Sequence, residues 1–137
     1  MSPEALAGLV ALAAARRERD LARLEALLME DRGLADEITR LAALPAQDLA
    51  EGGAMIAPLQ QQALRFAWME QQIARARMRR AVLAVEIAGA RTAAGTSVGK
   101  HEALDRLRAV ARRNALQLRN ARAEREAPPL AARSDDG

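Results

Sequence analysis

Apolar residues recur along this chain at spacings of three and four, and they do so in two long runs. The first run places Leu6, Val10, Ala13, Leu21, Leu24, Leu28, Ala35, Ile38 and Ala42 on one stripe, flanked by Leu27, Leu34, Leu41 and Leu44 and interrupted by a polar gap from Arg16 to Asp20. That pattern predicts a helix over 3–44. Ser2 can cap it, Pro3 suits the first helical position, and Glu4 meets the positive end of the helix dipole. The residue before Pro45 is pushed out of the helical region, so the helix should stop there, after roughly 60 Å. Pro45 to Pro58, with Gly52-Gly53 inside it, is rich in helix breakers and predicts the turn of a hairpin.

The second run is more regular. From about Pro58 onward, Leu59, Gln62, Phe66, Met69, Ile73, Ala76, Arg80, Leu83, Ile87 and Ala90 follow one another in steps of three or four, a sustained heptad seam. Gln62, Arg80 and Asn114 are polar residues read on this seam, where they can fix register or mark contact with another protein. Gly95-Thr96-Ser97-Val98-Gly99 then interrupts the run with five poor helix formers, at a combined cost of ~3 kcal/mol relative to Ala. Leu104, Ala111 and Leu118 lie whole heptads beyond Gln62, so an unbroken helix would hold them on the same face. The phase favours one long helix with a weak point at 95–99. A true turn there, giving helices at 58–94 and 100–126 in a three-helix arrangement, is the alternative. Residues 127–137 begin with Pro128-Pro129 and predict a disordered tail. The fold expected is all-α, a single domain over 1–126 built as a long antiparallel two-helix coiled-coil hairpin.

Composition narrows the class without altering it. Half of the 137 residues are apolar, but Ala dominates them and the aromatics are only Phe66 and Trp68. Helices faced with Ala approach closely yet bury little area per residue, so stability must come from long seams. The strand-forming residues are scarce. The chain has no Cys, which removes disulfides and thiolate chemistry and fits a cytoplasmic, reducing compartment. The apolar run Ala5 to Ala15 lacks a preceding basic region and is too short to span a membrane, so it reads as the first turns of a helix.

Charge is distributed unevenly. Residues 1–60 hold six Arg against ten acids, a net of −4, whereas residues 61–126 hold thirteen Arg and Lys100 against six acids, a net of +8. An acidic first helix facing a basic second one would help a hairpin choose its own pairing; both faces could equally be solvated.

Little in the sequence suggests catalysis. His101 is the sole histidine and reads as a surface residue, no glycine-rich phosphate loop precedes Lys100, and acidic pairs such as Glu30-Asp31 and Asp36-Glu37 are adjacent rather than convergent. No nucleophile, base and orienting group can be assembled, so no catalytic, cofactor or metal residues are expected, and no small-molecule substrate. What remains is binding. Trp68 reads either as a cover over the hairpin core near the turn or as an exposed anchor for a partner. The arginines of the second half could meet phosphates or an anionic membrane surface, but they spread around the helix and lack interleaved aromatics, which weighs against nucleic acid. The candidate partner-binding residues are Phe66, Trp68, Arg106, Arg112, Arg113, Arg119 and Arg122.

The stretch Val82-Leu83-Ala84-Val85-Glu86-Ile87-Ala88-Gly89-Ala90-Arg91, followed by Lys100-His101-Glu102-Ala103-Leu104-Asp105-Arg106-Leu107, resembles the second helix of the stalk proteins of flagellar type III export, the FliJ-like family, and of their injectisome counterparts, the YscO-like proteins. In those proteins a valine and an Ala-Arg pair are followed by Lys, two residues, Ala-Leu, two residues and Leu. The aromatic-bearing opening of the second helix, Leu64 to Gln72, is a weaker likeness, and the overall layout matches over about residues 4–126. The resemblance implies an antiparallel coiled coil seated in a hexameric export ATPase, with the export gate and substrate chaperones as further partners. It also implies a cytoplasmic protein, peripheral at most to the inner membrane.

Overall fold

The computed structural model describes residues 1–52 and 58–127, nearly all of them in two helices: α1, Pro3–Ala50, and α2, Leu59–Glu126. No strand occurs among the described residues. The two helices pack against each other as an all-α hairpin. α1 starts as its sequence dictates, with Ser2 Oγ accepting from the Ala5 amide at 3.2 Å. Contacts gather into two units, Glu18–Gly95 and Met1–Arg17 with Thr96–Gly137.

In the unit Glu18–Gly95, Leu41 of α1 packs with Met69 and Ile73 of α2, with Ile38 and Leu44 against them. The α2 seam continues through buried Ala76, Leu83, Ile87, Ala90 and Ala94, and Leu83 is fully excluded from solvent. Two charge pairs clamp the same helices together. Arg79 meets Glu30 and Arg80 meets Asp31, each through two bonds, with the shorter at 2.9 Å. The pairing of 30 with 79 and of 41 with 69 fixes the antiparallel sense. In the other unit, Leu6, Val10 and Ala13 are buried, while Leu104 and Ala111 of α2 are half-buried.

Several boundaries differ from those expected. α1 does not end before Pro45 but continues to Ala50 with the proline inside it. Pro45 is exposed, so its ring displaces only solvent, and Leu44 beside it keeps the helix on the core. The helix stops instead at Gly52, whose φ of 72° is the left-handed conformation that ends helices and that glycine adopts without strain. Buried Leu41 takes the seam place read for Ala42, which is exposed. Leu59 at the start of α2 and Asn114 towards its other end are also exposed.

The break at 95–99 does not occur, and neither does a three-helix arrangement among the described residues. α2 runs through Gly95 and Gly99, neither of which has a positive φ. Ala94 is buried and Ser97 and Val98 are half-buried, so seam packing on both sides of the glycines overrides poor propensity. The expected turn at residues 53–57 and the expected tail from 128 lie outside the described residues.

Candidate functional site

The seven expected contact residues all lie on α2, and they fall into two groups. Phe66 and Trp68 belong to the unit Glu18–Gly95, the five arginines to the other.

Phe66 and Trp68 line an open groove of about 590 Å³ with Arg65, Gln62 and Met69, against Leu44, Pro45, Asp48 and Leu49 of α1. Phe66 occupies a seam position, yet 52 % of it is exposed. Trp68 is 54 % exposed. About half of the side chain is thus open to solvent beside Met69 and Leu44. Leu49, which also lines the groove, was hidden from sequence reading by ending the first helix at 44. Gly52 was the signal that could have found it.

The arginines divide by face. Arg112, Ala115, Arg119 and Arg122 share a stripe, spaced three, four and three residues apart, with Leu118 beside it. Arg106 and Arg113 are seven apart on a different face, and Arg106 lies 4.0 Å from Glu102 on its own helix. The stripe bearing Arg112 continues the seam side of α2, but no α1 residue among the described residues covers it. Arg17 Nη1 donates to His101 Nδ1 at 3.3 Å, which fixes the register in this unit. Fourteen residues of α1 precede Arg17 counting from Pro3, so α1 runs out at about residue 115 of α2, and the last eleven or so residues of α2 project ~16 Å beyond it. Residues 112–120 are accordingly all exposed, including Leu116 and Leu118. Leu118 follows the heptad phase, but it has no α1 residue to pack on.

None of Arg112, Arg113, Arg119, Arg122 and Arg125 forms an ion pair within the described residues. This contrasts with Arg79 and Arg80, whose guanidinium pKa values are raised above the usual value by their hydrogen-bonded carboxylates. His101, read from the sequence as a surface residue, is half-buried and accepts at Nδ1 from Arg17.

No protein-family model, curated protein or solved structure matches this chain.

No group of three or more His, Cys, Asp or Glu among the described residues is placed to hold a metal ion. No helix among them is long and apolar enough to cross a membrane. What the arrangement offers is an aromatic groove and a helix end that is basic, partly apolar and uncovered.

Proposed function

We propose that this chain is a non-enzymatic coiled-coil component of a flagellar type III protein export apparatus, acting as stalk or adaptor of the export ATPase and as an escort for substrate chaperones in the cytoplasm. The observation that carries the proposal is the end of α2, which outruns α1 and presents Arg112, Arg119 and Arg122 on one stripe, with Leu118 beside it. A single helix about 10 Å across, basic and apolar on one face, fits a narrow protein socket lined with carboxylates and apolar side chains. The sequence likeness of Val82–Arg91 and Lys100–Leu107 to export stalk proteins supplies the identity of that socket, the pore of a ring-shaped ATPase. The half-exposed Phe66 supplies a second contact surface suited to a chaperone or the export gate.

The test is stimulation of the cognate export ATPase by purified chain. Wild-type protein should raise turnover, and the variant R112E/R119E/R122E should not. Equal stimulation by both would remove the arginine stripe from the reading. The same stripe also suits a phosphate backbone, and that second reading predicts nucleic-acid binding that falls steeply with salt.

A further inference from the structure

The face of α2 opposite its seam is exposed and carries no charge over a long stretch. Between Leu64 and Gly95 two columns of residues run along that face, each with a period of seven. One is Leu64, Gln71, Met78, Val85 and Thr92; the other is Ala67, Ala74, Ala81, Ala88 and Gly95. All ten are exposed and none is charged, in a chain whose charged residues make up 28 % of the total. Met78 is 71 % and Val85 75 % exposed. Together the columns form a second heptad seam about 48 Å long, as regular as the one that packs on α1.

The glycines on this face are also unexplained by the hairpin. Gly89 and Gly95 sit in the helix without positive φ, and a Cβ at either would meet nothing within 4 Å. Glycine weakens a helix interior relative to alanine. Here it gains no close approach within the chain in return.

We infer that this face binds the same face of a second copy, antiparallel, about a two-fold axis between residues 79 and 80 of α2. In that register every layer sets a larger residue against a small one: Leu64 on Gly95 of the partner copy, Met78 on Ala81, Val85 on Ala74. Trp68 then lies over Gly89 of the partner copy, which accounts for both the exposed indole and the bare glycine. The flanking charges select the register. Glu70 meets Arg91 of the partner copy, reciprocally, while Arg77 meets Ala84 and Arg75 meets Val82. Sliding by one heptad in either direction sets Arg77 on its own symmetry mate or on Arg91 of the partner copy, a like-charge contact. Among the described residues Glu70, Arg75, Arg77 and Arg91 form no ion pair, which leaves their charges for this use.

The experiment is sedimentation equilibrium of the full chain across a wide concentration range, with emission from Trp68 followed in parallel. Wild-type protein should reach twice the chain mass of 14.8 kDa, with a blue shift of the indole emission as it does so. E70R and R91E alone should each weaken the association by about tenfold or more, and E70R/R91E should restore it, because the swapped pairs are again complementary. G89L should abolish the blue shift and the dimer while leaving helicity intact, since its side chain has open space in the isolated hairpin. A wild-type chain that stays monomeric would overturn the inference and leave the face to a helix of another protein. So would single charge reversals that dimerise as well as the wild type, or a double reversal that fails to recover.

Discussion

Arg80 of α2 grips Asp31 of α1 through two near-parallel hydrogen bonds, Nε to Oδ1 at 2.9 Å and Nη2 to Oδ2 at 3.3 Å. The bond from Arg80 is the largest influence on Asp31 and holds its carboxyl below the usual carboxylate value, the Arg80 charge adding to the effect while partial desolvation opposes it. Arg80 occupies a seam position where an apolar residue would normally stand, and Asp31 makes that tolerable. The neighbouring pair of Glu30 with Arg79 repeats the device one residue along each helix.

The pH dependence follows from the direction of the Asp31 shift. A carboxylate whose pKa is depressed on folding stabilises the folded state at pH above its unfolded value, near 3.8, and loses that contribution as pH falls through the lower folded value. The stability difference between wild type and Asp31→Asn should therefore be constant from neutral pH down to about 5 and close below about 4. Urea titrations at a series of pH values read the difference directly. A gap that persists unchanged into strong acid would mean the pair does not contribute through charge.

Truncation of the seam should be costly where the two helices close on each other. Leu83 and Leu41 are the most deeply buried large side chains, and Leu→Ala at either should cost about 2–4 kcal/mol in denaturant unfolding. Leu118, on the same heptad phase but past the end of α1, should lose less than about 0.5 kcal/mol. Comparable losses at all three positions would place a covering element over the end of α2.

The end of α1 is testable at two residues. Gly52→Ala must place a side chain at a φ of 72° and should cost about 1 kcal/mol. Pro45→Ala restores a donor for the Leu41 carbonyl inside the helix and should stabilise by about 1–3 kcal/mol. Opposite signs at the two sites mark a helix that runs through the proline and stops at the glycine. A destabilised Pro45→Ala would put the helix end at 44 after all.

Gly99→Ala separates one long helix from a turn at 95–99. In a continuous α2 the alanine meets open space and should raise stability by about 0.5–1 kcal/mol. In a turn that needs glycine it would lower it.

Much of the hairpin was legible because its signals are local. The Ser2 cap, the heptad spacing from Met69 to Ala90 and the phase that carries Leu104 and Ala111 past the weak segment all sit in the spacing of side chains, and packing follows them. The misread boundaries came from weighing a single residue against its context. Pro45 signals a stop, but its ring faces solvent, and the stronger stop signal, a glycine free to take positive φ, lay seven residues further on. The site was legible as composition and not as arrangement. Twenty arginines show where charge is abundant, but which of them lack partners depends on the register set by Arg17 with His101 and on where α1 runs out. The same holds for Trp68, whose exposure depends on which residues of α1 lie across the groove.

The central claim is that the uncovered stripe of Arg112, Arg119 and Arg122 engages a protein. It is tested most directly by affinity capture from native lysate, after nuclease treatment, with tagged wild type beside R112E/R119E/R122E. The account predicts that the wild type retains an export ATPase or export-gate protein and that the triple variant loses it while keeping its helicity. Identical retention by both proteins, or recovery of nucleoid and ribosomal material alone, would contradict it.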